Sequence, residues 1–364
     1  MSIWRKPNLK SKEIIILTIS MGNDGAERVL SELSNVWVKR GHKVSIIQTG
    51  ANNYGVSYSL SNEIEVINIR AVSKIKPIRY LQEVKEVVSI LNSRPNATVL
   101  SFIVSSIFIC GVASLFVKNK IVVSERNNPK ACPSGKVQQK LRDWAFGRAD
   151  VCVFQTENAM KMFPKNVQKK GVIIPNPING NLPQPYIGVR RKAIVAACRL
   201  HPQKNLPMLI DAFRQLHIDY PDYRLEIYGQ GEMWEQLVQL VSESGLSKFV
   251  AMPGFANDIF DRINTCTMYV SSSNYEGISN SMLEAMGMGV PVVVTDCPVG
   301  GARMMISDGR NGYLVPVGNS KIMYEKMKKV IEDRESTKNI MQESIKVRDK
   351  YDLSKISEQW ILIM

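Results

Sequence analysis

The sequence predicts an α/β protein made of two doubly wound parallel sheets, one in each half of the chain. Three observations lead to this fold class. Short apolar runs, typical of buried parallel strands, alternate with helical segments along the whole chain. A stretch with four prolines in eleven residues, 175–185, separates two such alternating sets. The length of 364 residues suffices for about two domains of ~150 residues each.

The elements of the first half follow from their hydrophobic periodicity. The fully apolar run Ile14 to Leu17 marks the first strand, and Val29, Leu30 and Leu33 share one face of the first helix. The predicted strands are 13–20, 44–48, 64–69, 98–103, 121–123, 151–154 and 172–174. The predicted helices are 26–40, 78–91, 105–117 and 135–146. In the last of these, Val137, Leu141, Trp144 and Ala145 are expected to oppose the basic Lys136, Lys140 and Arg142.

The second half repeats the alternation after the proline-rich stretch. Its predicted strands are 194–197, 224–228, 249–252, 268–271, 291–295 and 312–315. Its predicted helices are 206–216, 232–243, 259–264, 280–288, 301–306 and 321–331, and the tail 335–364 is also expected to be helical. We therefore predict an N-terminal domain over 1–180, a C-terminal domain over 181–345, and a C-terminal helix over 346–364 that packs back on the N-terminal domain.

The net charge of +14 lies entirely in the first half, where 26 Lys and Arg outnumber 12 Asp and Glu over residues 1–180. This asymmetry favours a polyanionic partner, such as a membrane surface, a lipid diphosphate or nucleic acid, although a solvated basic face without a partner would look the same. Three His make His-based metal or triad chemistry a poor prediction. The six Cys show no C-x-x-C spacing, as expected for reduced thiols of a cytosolic protein.

The 21 residues 97–117 carry no charge and are long enough to span a bilayer. Five Ser and Gly dilute the apolar character of this segment, so we favour a buried strand followed by a covered helix. The N-terminal cations precede too short an apolar run for a signal peptide. The expected location is therefore cytoplasmic.

The stretch 275–286 has the strongest pattern for a functional site. Glu276 follows a predicted strand, Gly277 permits a bend, and Ser279 or Asn280 can cap the helix that begins there. Free N–H groups at such a helix start suit phosphate or sugar oxygens. Glu284 lies four residues after Asn280, on the same helix face. The Glu spacing by itself is weak, because pairs elsewhere in the chain share it by chance.

The words EGISNSMLEAMGMGVPVVVTD resemble the Glu-x7-Glu signature of retaining glycosyltransferase family four, whose fold, called GT-B, has two Rossmann-like domains facing across a cleft. The resemblance implies that Glu276 contacts the donor sugar and that Glu284 contacts the nucleotide ribose. It also assigns neighbouring residues to donor binding, namely Gly277, Ile278, Ser279, Asn280 and Ser281.

Other segments of the second half extend the resemblance. Arg199 and Lys204 are similar to the family's cations that hold the donor diphosphate, and fixed cations are what a leaving diphosphate requires as its charge develops. Without that context they would be two surface cations near a helix start. Gly229 and Gly231 are expected on the nucleotide side, and Phe255 is expected either to border the base or to lie in the core.

In the first half, residues 22–28 are similar to the family's GGAER segment, which implies a donor contact for Gly25 and an acceptor-side place for Asn23. Glu125 and Arg126 leave a strand and are acceptor-side candidates, or part of a capping or salt-bridged loop. Many relatives have a His near Arg126, so the identity of an acceptor-side base stays open. Residues 22–28 lack the G-x-G-x-x-G spacing of a dinucleotide dehydrogenase, and the acidic partner for a ribose is missing ~20 residues further on, so this class of enzyme is disfavoured.

The predicted function is that of a retaining, metal-independent hexosyltransferase. It would move a sugar from a nucleotide-diphosphate donor, most simply a UDP-sugar, to a polyprenyl-diphosphate-linked glycan during capsule, exopolysaccharide or lipopolysaccharide synthesis. We expect no cofactor, no nucleic acid, and peripheral attachment at the inner face of an anionic membrane. The alternatives are a nucleotide-sugar epimerase or hydrolase of the same fold, and a basic protein that binds nucleic acid or membranes.

Overall fold

The structure is a computed structural model that describes residues 11–22, 25–50, 58–71 and 73–364. The chain divides into two compact units. The first comprises the chain up to residue 154, residues 160–174 and residues 354–364. The second comprises residues 155–159 and 175–353. The main division, between 174 and 175, coincides with the start of the proline-rich stretch.

The first unit contains a parallel sheet with the strand order β3-β2-β1-β4-β5-β6-β7. Its strands are β1 Glu13–Thr18, β2 Lys43–Gln48, β3 Glu65–Asn68, β4 Thr98–Ser101, β5 Ile121–Glu125, β6 Val151–Phe154 and β7 Gly171–Ile173. Ile14 to Leu17 are completely buried in β1, as a strand covered on both faces requires.

In the described part of the first half, one helix follows each of β1, β3, β4 and β5, two short helices follow β6, and another helix lies near the C-terminus. They are α1 Gly25–Lys39, α2 Lys76–Ser93, α3 Val104–Ala113, α4 Lys136–Arg148, α5 Glu157–Lys161 and α6 Lys165–Gln168. The C-terminal helix is α15 Leu353–Ile363. From this helix, Trp360 packs on Phe102, with ring centroids 5.1 Å apart, and the Ser357 carbonyl accepts a hydrogen bond from Trp37. The C-terminal helix therefore packs on α1 and on the loop after β4, within the first unit.

The second unit contains a parallel sheet with the strand order β10-β9-β8-β11-β12-β13. Its strands are β8 Arg191–Ala197, β9 Arg224–Tyr228, β10 Val250–Gly254, β11 Cys266–Ser271, β12 Val292–Thr295 and β13 Tyr313–Val315. The helices are α7 Leu206–Asp219, α8 Trp234–Glu243, α9 Ile259–Asn264, α10 Asn280–Gly287, α11 Gly301–Met305, α12 Ser320–Glu332, α13 Arg334–Ser344 and α14 Val347–Lys350.

The strand orders confirm the predicted fold class and locate the switch point of each sheet. In the first unit the chain reverses its direction of sheet growth between β1 and β4, and in the second between β8 and β11. Loops at the carboxyl ends of the strands on either side of such a point form a crevice, where ligands of doubly wound sheets bind.

Residues 97–117 form a strand and a separate helix, β4 and α3, as predicted. Loop residues 102–103 separate these two elements. Within the described ranges, no helix combines the length and the apolar character needed to cross a membrane.

The predicted orientation of α4 is wrong in part. Arg142, expected on the basic outer face, is buried, and its guanidinium donates to the carbonyls of Pro129 and Cys132. Of the residues expected to oppose the cations, Ala145 is buried, whereas Val137, Leu141 and Trp144 are exposed like Lys136 and Lys140. The side of the helix with Arg142, Ala145 and Phe146 is turned inward, and carbonyl groups of the preceding loop hold Arg142 there.

Candidate active site

The switch point of the second unit brings Lys204 and Glu276 together. Lys204 lies in the loop after β8, and Glu276 lies in the loop after the neighbouring strand β11. The Lys204 ammonium forms an ion pair with Glu276 Oε2, and the Ser273 hydroxyl donates to the same oxygen over 3.2 Å. Only 15% of the Lys204 side chain and 22% of the Glu276 side chain are exposed. The two predicted residues therefore form one partly buried charge pair.

The surroundings keep Lys204 charged. Burial lowers the pKa of Lys204, but attraction to Glu276 outweighs this effect and raises the pKa above its ordinary value. The two nearby thiols stay neutral at neutral pH and add no negative charge next to Lys204, because burial raises the pKa of both Cys198 and Cys297 to about 11. At neutral pH the site consequently holds a fixed cation next to a carboxylate.

Hydrogen bonds to backbone carbonyl groups fix the loop of Lys204 against the loop of Glu276. The Ser272 hydroxyl donates to the Lys204 carbonyl over 2.8 Å, and the Asn274 amide donates to the Gln203 carbonyl over 2.8 Å. Gln203 in turn donates from its side chain to the Tyr275 carbonyl over 2.9 Å. These bonds place the cation without relying on its flexible side chain alone.

A helix N-terminus opens directly after Glu276. Ser279 caps α10 by accepting a hydrogen bond from the Met282 amide, so the cap is Ser279 and not Asn280. Ser281 lies 2.7 Å from the hydroxyl of the buried Tyr269. A small pocket at this point is lined by Ser273, Glu276 and Gly277, among others. The unpaired first-turn amides of a helix favour an anionic ligand near such a start.

Two residues that the sequence did not suggest hold the bend between Glu276 and α10. The Gln155 side chain accepts from the Ile278 amide over 2.9 Å and donates to Asn176 over 2.7 Å. Asn176 donates to the Ile278 carbonyl over 3.1 Å and to the Asn280 side chain over 2.8 Å. Their one sequence signal is position, since Gln155 directly follows a strand and Asn176 opens the proline-rich stretch. Asn280 therefore contacts the protein's own polar network.

Gly301 also supports this bend. A Cβ atom at Gly301 would lie 1.9 Å from the Gly277 carbonyl oxygen. Because no side chain can fit there, the start of α11 approaches the Glu276 loop more closely than any other residue type would allow.

The remaining predicted donor residues lie around the same edge of the sheet. Arg199 is exposed in the loop after β8. Its positive charge repels the Lys204 ammonium and opposes the rise in the pKa of Lys204 that Glu276 causes. Glu284 is buried in α10 with 5% exposure, one turn after Asn280. Phe255 is 67% exposed just after β10, so the expectation that it lies in the core is wrong.

Gly229 and Gly231 follow β9 and pack against the loop of Arg199. Added Cβ atoms would lie 1.9 Å from the Cys198 carbonyl oxygen and 2.3 Å from the Leu200 carbonyl oxygen, respectively. The backbone at these two glycines therefore packs closely against another loop of the same chain.

The acceptor-side candidates belong to the first unit. Gly25 begins α1 after β1, whereas Asn23 lies outside the described residues. Glu125 ends β5, where its carboxylate accepts from the amides of Arg126 and Asn127 over 3.0 and 2.9 Å. Burial raises the pKa of Glu125 to about 7.

Arg126 is held between two aromatic rings. Its guanidinium carbon lies 4.2 Å from the Phe102 ring centroid and 5.0 Å from the Trp360 ring centroid. Burial lowers the pKa of Arg126 to about 9, although Glu125 opposes this shift. This arrangement combines a cation and a titratable carboxyl at the end of one strand.

Comparison with known proteins identifies the class. Residues 183–347 match the family model described as glycosyl transferases group 1. The chain is 27% identical over 260 residues to the N-acetylgalactosamine-N,N'-diacetylbacillosaminyl-diphospho-undecaprenol 4-alpha-N-acetylgalactosaminyltransferase of Campylobacter jejuni, a match that covers 67% of this chain and 70% of that one. It is 21% identical over 358 residues to the amylovoran biosynthesis glycosyltransferase AmsD of Erwinia amylovora, covering 96% and 98% of the two chains.

Two further matches bear on extent and fold. The match to the poly(glycerol-phosphate) alpha-glucosyltransferase of Bacillus subtilis is 26% identical over 216 residues, and it covers 58% of this chain but only 32% of that one. Among solved structures, Anabaena Alr3699/HepE in complex with UDP has a TM-score of 0.81 and 20% identity, covering 96% of this chain and 98% of that one.

The two parallel Rossmann-like sheets and these matches define a glycosyltransferase of the GT-B type. Residues 183–347 are similar to the glycosyl transferases group 1 family.

Proposed function

We propose that the protein is a retaining glycosyltransferase that moves a sugar from a UDP-sugar to a lipid-linked glycan. The observation that carries this proposal is the ion pair of Lys204 and Glu276 at the switch point of the second sheet, beside the start of α10. A cation and a helix N-terminus suit the diphosphate of a nucleotide sugar, and a carboxylate suits sugar hydroxyls.

In the proposed reaction, Arg199 and Lys204 meet the negative charge that develops on the leaving nucleoside diphosphate. Glu276 orients the donor sugar, and Glu284 holds the ribose. The cations supply the countercharge that a divalent metal provides elsewhere, so we propose that no metal is needed. The names of two relatives specify alpha transfer, which supports retention for an alpha-linked donor.

The identities of donor and acceptor are proposed from the relatives. Alr3699/HepE has been solved with UDP and with UDP-glucose, which supports a uridine nucleotide. The name of the Campylobacter relative includes diphospho-undecaprenol, and that of AmsD includes amylovoran biosynthesis. These names support a polyprenyl-diphosphate-linked acceptor in surface polysaccharide synthesis, with the enzyme at the cytoplasmic face of the membrane.

A panel of nucleotide sugars tests the proposal. Each UDP-, GDP- and CMP-sugar is incubated with the purified protein, first alone and then with a short-chain polyprenyl-diphosphate-linked saccharide. We expect transfer from a UDP-sugar only when the acceptor is present. Release of free sugar, or conversion to an epimer at the same rate without acceptor, would instead identify a hydrolase or an epimerase.

A further inference from the structure

Among the described residues of the first unit, seven large apolar side chains are exposed on the helices α2 and α4 and directly after α3. Their exposed fractions lie between 43% and 72%, although residues of these types ordinarily lie in a core. We call them the apolar face: Ile78, Leu81, Leu115, Phe116, Val137, Leu141 and Trp144.

The apolar face is carried by neighbouring helices. α3 packs against both α2 and α4. The Trp144 ring lies over α3 so closely that a Cβ atom at Gly111 would be 3.0 Å from it. Arg148 donates to the hydroxyl of Ser114 over 3.1 Å, next to Leu115. The stripe of α4 therefore continues onto the end of α3.

The orientation of α4 shows that this exposure is built into the fold. Val137, Leu141 and Trp144 recur at intervals of four and three residues, so they form one stripe along the helix. An amphipathic helix on the surface of a protein in water turns such a stripe inward. Here the buried side of the helix holds Ala145, Phe146 and Arg142, and the Arg142 guanidinium stacks on Phe163 at 4.5 Å. An exposed apolar stripe that runs along α4 and onto the end of α3 marks an interaction surface.

The charges around the apolar face have one sign. The exposed cations on these helices and the loop after α3 include Lys76, Lys85, Lys118, Lys136, Lys140 and Arg148. The same segments contain three acidic residues: Glu83 is buried next to Arg79, Asp143 pairs with Arg142, and Glu86 is exposed. The rim of the apolar face is therefore strongly positive.

We infer that the apolar face docks onto a bilayer that contains anionic lipids. Trp144, Leu141 and their neighbours would enter the boundary between headgroups and acyl chains, while the lysines contact lipid phosphates. A second copy of the chain fits less well, because a two-fold contact would bring the same cations together. The inference deepens the proposed function, since a lipid-linked acceptor lies at such a surface.

Vesicle co-sedimentation of the full chain tests the inference. The vesicles contain phosphatidylcholine alone or with 30% phosphatidylglycerol, at low and at physiological salt. We expect binding to the anionic vesicles that weakens as salt rises. Leu141→Asp/Trp144→Asp should reduce binding at least tenfold. Lys136→Gln/Lys140→Gln should reduce it about fivefold for each cation removed.

Matched variants of the second unit serve as controls. Ile218→Asp/Val238→Asp replaces two apolar residues that are 76% and 47% exposed, and Lys248→Gln/Lys321→Gln removes two exposed cations. These variants should bind vesicles as the unchanged protein does. The inference would be overturned if the control variants lost as much vesicle binding as the variants of the apolar face and its cations. Equal binding of the unchanged protein to neutral and anionic vesicles would also overturn it. So would a dimer in light scattering that Leu141→Asp/Trp144→Asp dissociates.

Transfer to a short-chain, water-soluble acceptor is measured on the same variants. We expect it to be unchanged in Leu141→Asp/Trp144→Asp, which also shows that the variant is folded. Loss of vesicle binding with transfer retained separates the docking surface from the reaction. The unchanged protein and all variants could fail to transfer sugar while vesicle binding behaves as expected. In that case the proposed function fails and the docking surface stands.

Discussion

Replacing Glu276 with Ala should weaken the fold without weakening UDP binding. Two opposite charges 4 Å apart attract by about 4 kcal/mol at an effective dielectric constant of 20. Removing one partner of a fully buried pair costs roughly 3–5 kcal/mol, because the other charge is left uncompensated. Since 15% of Lys204 and 22% of Glu276 are exposed, we expect a smaller cost, ~2–3 kcal/mol of unfolding free energy.

The same change should alter UDP binding in a direction opposite to that of transfer. Without Glu276, the Lys204 ammonium is no longer neutralised and can interact fully with a diphosphate. UDP affinity should therefore stay equal or rise by up to about tenfold, which corresponds to ~1.4 kcal/mol. Transfer should fall by roughly a hundredfold or more, because the donor sugar loses its orienting group. Calorimetry with UDP, urea unfolding and transfer kinetics measure the three effects.

Ser273→Ala is the matched control, because it removes the 3.2 Å hydrogen bond to Glu276 and a 3.4 Å contact with the Ser271 hydroxyl but keeps the ion pair. It should cost about 1 kcal/mol of stability and leave the affinity for UDP unchanged. If Glu276→Ala weakened UDP binding more than tenfold, the carboxylate would be part of the diphosphate site, and the division of roles would be refuted. Near-normal transfer by Glu276→Ala would show that the ion pair is structural.

Further changes test the other residues. Arg199→Ala and Lys204→Ala should each lower kcat by roughly tenfold to a hundredfold, because contacts worth ~1.5–3 kcal/mol strengthen as the diphosphate leaves; steady-state kinetics would show a KM effect instead if they only bind substrate. Glu284→Ala should raise the donor KM more than it lowers kcat, and the reverse split would contradict a ribose contact. A chelator should leave transfer unchanged, whereas loss that magnesium or manganese restores would show a metal requirement. Glu125→Gln should gain stability relative to the unchanged protein between pH 5 and pH 8, by ~2–3 kcal/mol. Its sign follows from the pKa of about 7 in the fold, since the unfolded chain is largely ionised above pH 5 whereas the folded chain keeps the proton until about pH 7, so the unchanged protein loses stability as the pH rises to that point; urea unfolding that shows no pH-dependent difference would contradict it.

The fold was predictable because its strands are recognisable locally. Parallel strands covered on both sides are continuous apolar runs, and Ile14 to Leu17 or Val292 to Thr295 need no distant partner to be identified. The ends of the elements were less predictable. Glu125 was expected after its strand, yet it is the last residue of β5, because pairing with Phe154 extends the ladder.

Residues that act through distant partners could not be predicted. Arg142 turns inward because carbonyl groups at positions 129 and 132 accept its hydrogen bonds, and no pattern within α4 indicates this. Gln155 and Asn176 reach the Glu276 loop across more than 100 positions of sequence. By contrast, Lys204 and Glu276 were predicted separately, each from its own segment, and the order of the strands brings them together.

The donor half of this chain depends on residues that lie before residue 183. A fragment that spans only residues 183–347 lacks Gln155 and Asn176, which bind the amide and the carbonyl of Ile278. In such a fragment the buried backbone beside Glu276 would lose its hydrogen-bond partners, at a cost of about 1–3 kcal/mol for each group left unsatisfied. A transplant of the donor half into another scaffold must therefore carry residues 155–159 and 175–182 as well, even though 155–159 are inserted between parts of the first unit.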